Sequence, residues 1–223
     1  MQELSEIKKL AEVPMTDDHE TKRVEIIMLK YKEEPKVIND AICRIVNHTH
    51  HPFKLTVFDN RLNTANTSRA WNKLVRESTC DYVLLIDSDC FVPENLQPCW
   101  LTRMMESIDE TGIVIPVVDN TGSPSHRARI EQKYPSFERN KSIWSGMCFL
   151  FKKSIYEQIG KFDERFYLYG QDSEWAFRAK KQGGVMMRKD VFIHHIGNYS
   201  MSKRNDASLD KIYASKLYQY LTK

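Results

Sequence analysis

No sign of charge dominates this chain of 223 residues: 33 lysines and arginines face 30 acidic residues, and the formal +3 is spread along the sequence. A nucleic-acid surface gathers its basic residues into a patch or stripe, so none is expected here. Lys203-Arg204 and the lysines of the final segment are local exceptions. Such charges ordinarily make a solvated face, which gives peripheral membrane contact little support. Cysteine is sparse, five residues at 43, 80, 90, 99 and 148, odd in number, widely spaced and without a Cys-x-x-Cys pair. That spacing points away from a disulfide framework and a structural zinc, and towards reduced cysteines beside apolar neighbours. Long apolar runs are missing too: nothing approaches membrane-spanning length, and Met1-Gln-Glu-Leu-Ser-Glu-Ile-Lys-Lys lacks the apolar stretch of a secretory signal. The expectation is a cytosolic protein. Internal repeats and low-complexity tracts are absent as well.

What the chain does have is alternation, over a length that suits one α/β domain with a single sizeable core. After a polar leader over 1–23, Val24-Glu-Ile-Ile-Met-Leu29 reads as a strand, and Val37, Ile38, Ala41, Ile42, Ile45 and Val46 follow at helical spacing. Leu55 to Phe58 and Tyr82 to Ile86 are the next strands, separated by a helix with Ala70, Trp71, Leu74 and Val75 on one face. Trp100, Leu101, Met104, Met105 and Ile108 mark another helix before the strand Ile113 to Val118. The polar stretch 119–141, with Pro124 and Pro135 and no period, reads as a substrate loop or lid. A strand over Met147 to Phe151, a short helix ending near Gly160, an aromatic loop, a helix over 171–182 and a strand near 185–193 complete the domain. Leu209, Ile212, Tyr213, Leu217 and Tyr220 then predict an amphipathic helix over 205–223, docking on the domain or on a partner. Such alternation implies right-handed crossovers and a mainly parallel sheet, with ligand loops at the carboxyl ends of the strands.

The most informative segment is Tyr82-Val-Leu-Leu-Ile-Asp-Ser-Asp89, an apolar run that breaks off into two carboxylates one residue apart. In extended chain, residues two apart face the same side. Asp87 and Asp89 would then converge on one hard cation, magnesium or manganese, that still carries water or substrate phosphate. An aspartate after a strand also caps a helix or makes an Asx turn, and the local sequence leaves both readings open.

In this order, several segments resemble glycosyltransferase family 2. Val24 to Glu34 is similar to that family's opening strand and turn, Leu55-Thr-Val-Phe-Asp-Asn60 to its nucleotide-binding strand end, and Asp81 to Asp89 to the segment carrying its Asp-x-Asp motif. Ser145 to Lys153 and Gly160 to Arg178 resemble the acceptor-side half, and His195-Ile-Gly-Asn-Tyr-Ser200 the closing histidine segment. The resemblance spans roughly 24–200 and implies a GT-A fold, with a nucleotide-sugar-binding half over 24–118 and an acceptor-side half over 119–204. Two segments depart from the pattern: the opening turn is Leu29-Lys-Tyr-Lys32, and Gln171-Asp172 stands where the family has Glu-Asp. The Gln-x-x-Arg-Trp motif of processive synthases is absent after Asp172.

What the resemblance implies is metal-dependent, inverting, non-processive transfer of a sugar from a nucleoside-diphosphate sugar to a carbohydrate or glycoconjugate hydroxyl. Asp87, Asp89 and His195 would hold the Mn2+ or Mg2+ ion, with His194 as the alternative imidazole. Lys30, Tyr31, Asp59, Asn60, Arg69, Asp87 and Ser88 would contact the donor nucleotide, the cations serving as charge-assisted donors to phosphate. Asp172 would be the general base, ionised at the start of its helix where the dipole favours negative charge, with Glu174 behind it as a second candidate. Trp144, Gly146, Tyr169 and Gln171 would meet the acceptor, while Phe162 and Phe166 are expected in the core. Two other functions compete. A nucleotide-sugar-binding module without turnover fits Gln171 and the altered turn, and a sugar-phosphate nucleotidyltransferase would need a glycine-rich loop after the first strand, which this sequence lacks.

Overall fold

The computed structural model describes residues 22–30, 33–60, 66–121, 131, 133–140, 142, 144–167, 169–197 and 207–221, the side chains of the last segment from 212 onwards. One eight-stranded sheet organises them, its neighbours in the order Phe53–Asp59, Val24–Lys30, Tyr82–Asp87, Cys148–Lys152, Ile113–Val118, Val185–His195 and Cys90–Phe91, with Phe137–Asn140 also on Val185–His195. Strands β1 (Val24–Lys30), β2 (Phe53–Asp59) and β3 (Tyr82–Asp87) pair in parallel through the crossover helices α1 (Pro35–His48) and α2 (Thr67–Glu77). Pro35 begins α1, where its missing N–H costs nothing. Asn66 caps α2 by accepting from the Arg69 amide at 2.7 Å.

The period of two in β1 divides the core. Ile26 and Met28 face one side with α1 and Trp100, while Ile27 faces the other with Trp71, Phe149, Phe151 and Trp175. In the second layer Phe149 lies within 6.3 Å, ring centre to ring centre, of Trp71, Trp144, Phe151, Phe162 and Trp175, mostly edge-on or tilted. Each such aromatic pair adds about 0.5–1.5 kcal/mol beyond area burial. Helices α5 (Lys153–Ile159) and α6 (Gln171–Lys181) cover this side. The closing helix α7 (Ala207–Leu221) lies on α6, with the Tyr218 ring edge-on to Phe177 at 6.3 Å and Ala214 buried.

The sheet is mostly parallel, as the alternation predicts, but β7 (Cys148–Lys152) runs antiparallel between β3 and β5 (Ile113–Val118). Strand β8 (Val185–His195) is longer than expected and breaks register: Pro116 is opposite Arg188, yet Val117 is opposite Phe192. Proline has no N–H to give a ladder, and the bulge of Lys189, Asp190 and Val191 falls beside it.

Three expectations need correction. The helix from Trp100 to Ile108 is two short ones, α3 (Trp100–Met105) and α4 (Ile108–Thr111), because Ser107 leaves helical geometry at φ −104° and ψ 0°. The polar stretch 119–141 contains strand β6 (Phe137–Asn140) on β8, whose mostly exposed side chains carry no alternation; residues 122–130, 132 and 141 lie outside those described. A two-residue strand, β4 (Cys90–Phe91), pairs with His194 and His195. No helix among the described residues is long and apolar enough to cross a membrane.

Candidate active site

Strand β3 ends at Asp87, and Ser88 and Asp89 form a turn into β4. The expectation that Asp87 and Asp89 share a side rested on extended chain, and the turn removes that geometry. Among the described residues the ligand atoms that converge are those of Asp89, Cys90 and His195, all within 4.8 Å of one another. Asp87 is outside that set, although the charges of Asp89 and His195 act on it. Its amide donates to Met147 O at 2.8 Å. Burial pushes the Asp87 carboxyl well above the carboxylate range, and Asp89, Asp172 and Glu33 push the same way against His195.

His195 Nε2 stands 3.3 Å from Asp89 Oδ1, and Nδ1 is 3.1 Å from Asn120 O. A carbonyl only accepts, so Nδ1 donates to it, while Nε2 donates to Asp89 when the ring is protonated and turns a lone pair towards the carboxylate when the ring is neutral. Two lone pairs at this distance need a proton or a cation between them. Burial pulls the imidazole pKa down, but the hydrogen bond to Asp89 and the charges of Asp89 and Asp87 outweigh it, leaving a net rise. A divalent ion meets the same need, and the tethered Nδ1 is the outer-shell arrangement that orients a histidine ligand. The residues present therefore fit an ion held by Asp89 and His195.

Asp119, just past β5, contacts both histidines. Its Oδ1 accepts from the His195 amide at 2.7 Å, and its Oδ2 lies 2.6 Å from His194 Nδ1. His194 is thereby held on the outer side, stacked on Phe91 at 6.0 Å and half exposed, away from Asp89. Asn120, at φ 45°, donates from Nδ2 to Ile196 O, and Gly197 at φ +70° leaves no Cβ to collide with that amide.

Asp172 is the second residue of α6, behind Gly170, which occupies the N-cap position. It therefore lies inside the first turn and not at the cap. Its Oδ2 accepts from the Gly146 amide at 2.7 Å. The dipole argument predicted an easily ionised group, whereas burial outweighs the amides of Gly146 and Ser173 and raises its pKa. Gly146 is required for this contact, because a Cβ there would lie 2.6 Å from the Asp172 Cβ.

The sequence model of Glycosyl transferase family 2 matches residues 6–166. The chain belongs to glycosyltransferase family 2. It is 22% identical over 231 residues to the O-antigen biosynthesis protein RfbC of Myxococcus xanthus, covering 81% of this chain and 18% of that protein. It is 36% identical over 69 residues to the N-acetylglucosaminyl-diphospho-decaprenol L-rhamnosyltransferase of Mycobacterium tuberculosis, 30% of this chain and 22% of the relative. The chain thus spans about a fifth of these curated relatives. Among solved structures, GalNAc-T7 with UDP, GalNAc and Mn2+ superposes with a TM-score of 0.64 over 91% of this chain and 50% of its own, at 10% identity. TarS of S. aureus gives 0.59 over 88% and 39%, at 12% identity. At such identities the likeness is one of fold, and the fold is GT-A.

In this family-2 chain the remaining candidates scatter. Lys30 is half-buried at the end of β1, Asp59 is exposed at the end of β2, and the buried Asn60 donates its amide to Lys30 O at 2.8 Å. Tyr31 lies outside the described residues, and Ser88 is buried in the turn. Arg69, expected at a phosphate, pairs instead with Glu164 Oε2 at 3.4 Å. The expectation for Trp144 is overturned: it is 2% exposed, edge-on to Trp175 at 6.1 Å, and is core rather than an acceptor platform. Gly146 serves Asp172 through its amide, and Gln171 is buried with no donor to its Oε1. Tyr169 is half-buried, and Phe162 and Phe166 are core. Glu174 is tied to Arg178 by two contacts of 2.6 Å and is unsuited to proton abstraction. Sequence reasoning missed Asp119, Asn120 and Cys90. Only Cys90, adjacent to Asp89, carried a local signal.

Proposed function

We propose that this chain is the catalytic domain of a metal-dependent, inverting, non-processive glycosyltransferase, moving one sugar from a nucleoside-diphosphate sugar to a hydroxyl of a carbohydrate or glycoconjugate. The observation that carries the reading is the 3.3 Å contact of His195 Nε2 with Asp89 Oδ1, in a carboxylate cluster that also includes Asp87 and, across the turn at Gly146, Asp172. Asp89 and His195 would hold Mn2+ or Mg2+, which when bound supplies Lewis-acid neutralisation of the departing diphosphate. The end of β3 at Asp87, Ser88 in the turn after it, and the ends of β1 and β2, with Lys30, Asp59 and Asn60, form the donor side. Asp172 takes the proton of the acceptor hydroxyl as its oxygen bonds to the anomeric carbon and the bond from that carbon to the diphosphate oxygen breaks. Attack opposite the leaving group inverts the anomeric centre, and transfer of a single sugar fits the absence of Gln-x-x-Arg-Trp.

Residues 24–118 serve the donor in this reading, 119–204 the acceptor side, and the final helix closes over α6. Cytosolic operation belongs to it too, supported by five cysteines that form no disulfide. The test is release of nucleoside diphosphate from a donor panel, with proton NMR of the anomeric signal of the product. Turnover that needs a divalent ion, inverts, and falls about 10²–10⁴-fold in Asp172→Asn is expected. Retained configuration, or unchanged turnover in that variant, would overturn the mechanism. Donor binding without turnover on any acceptor would leave a binding module.

A further inference from the structure

The geometry points to Cys90 as a third protein ligand at the Asp89–His195 site, making it a sulfur-containing centre in which a borderline-soft divalent ion such as Zn2+ or Co2+ takes the place assigned above to Mn2+ or Mg2+. This rests on the proposal that Asp89 and His195 hold an ion.

Three observations support it. Cys90 and His195 are directly opposite each other in the antiparallel β4–β8 ladder, so their side chains share a face. The ligand atoms of Asp89, Cys90 and His195 lie within 4.8 Å of one another. Bonds of about 2.0–2.3 Å around a tetrahedral ion place ligand atoms about 3.3–3.8 Å apart, so closure asks for about 1 Å of side-chain adjustment. Finally, the Cys90 thiol is fully buried, makes only a long contact to Met147 O at 3.5 Å as a donor, and its sulfur already accepts from the Asp87 backbone as it would from a ligand-shell amide. A carboxylate, an imidazole and a thiolate, with a fourth position open, make the donor set of a catalytic zinc centre, whereas magnesium and manganese favour oxygen.

Binding replaces the S–H bond by an S–metal bond and releases the proton to solvent, with no change of oxidation state. The thiolate and the Asp89 carboxylate then balance the two charges of the ion.

The test is titration of the reduced protein with Co2+, in a Cys43→Ser background that removes the exposed thiol. A near-ultraviolet sulfur-to-cobalt charge-transfer band is expected, abolished in Cys90→Ser and Asp89→Ala but retained in Cys148→Ala. Competition should show Zn2+ affinity falling at least about tenfold in Cys90→Ser, the scale on which even outer-shell partners act, with Mn2+ affinity nearly unchanged. If Cys90→Ser fails to fold, the band in the parent protein and its loss on adding Zn2+ decide the matter. Cobalt d–d bands without a charge-transfer band would overturn the sulfur ligand and leave the Asp89–His195 reading standing. Failure of Co2+, Zn2+ and Mn2+ alike to bind would overturn both.

Discussion

Strand β8 carries two buried charge clusters that differ in one respect. Around its bulge, Arg188 donates to both oxygens of Asp190 at 2.8 and 2.7 Å, to Ser107 Oγ at 3.0 Å and to Glu106 Oε2 at 3.2 Å, while Arg103 Nη1 donates to Asp190 O at 3.1 Å. Further along, His195 meets Asp89 beside Asp87 and Asp172, where three carboxylates face one imidazole. The first cluster contains its own cations and serves the fold. The second is short of positive charge, and a buried group of like charges that evolution leaves uncompensated is the signature of a binding site.

Breaking the complete cluster should have the largest effect. Arg188→Met strands Asp190 in the interior and should cost about 3–5 kcal/mol, read from urea unfolding. The matching change at the incomplete cluster should have the opposite sign: Asp87→Asn removes one of the crowded charges and should raise the urea midpoint of the metal-free protein. A fall in that midpoint would mean the carboxylates are already balanced. Next in size, Asp89→Ala should lower turnover about 10²–10³-fold, on the scale of losing one preorganised stabiliser of transition-state charge, while unfolding in chelator changes little.

Smaller effects sharpen the contrast. Gly146→Ala displaces Asp172 and should lower kcat about tenfold, about 1.4 kcal/mol, with the donor KM preserved; equal changes in both would place Gly146 on the donor. Smallest is a pH effect in the metal-free protein. Asp87 and Asp172 have folded pKa values above their unfolded ones, so the stability they give is full below the unfolded carboxylate range and is lost as pH rises through the folded values. Thermal melts in chelator should therefore decline with pH above that range, and Asp87→Asn should flatten the slope. Saturating metal should reverse the slope, since a proton on His195 competes with the ion.

The parts of the fold that follow from local pattern were legible: β1, β2 and β3 with helices α1 and α2 come directly from apolar period and length. The Asp89–His195 pairing was not, since the two residues lie on distant strands and only a resemblance connects them. Asp119 was invisible for the same reason; its carboxylate acts on residues 75 and 76 positions away. Trp144 shows a different limit. An aromatic side chain has the same sequence signature whether it stacks on a sugar or on Trp175, and only the neighbours it meets decide. Strand β4, two residues long, has no period to read.

The interruption beside Pro116 has a further consequence. An odd number of looped-out residues exchanges the two faces of everything downstream, so the phase of β8 at its far end is set several residues earlier. Deleting Lys189, which leaves the Arg188–Asp190 pair and the core residue Val191 in place, should rotate His194 inward and His195 outward if the upstream pairing is kept, swapping the inner imidazole without touching either histidine.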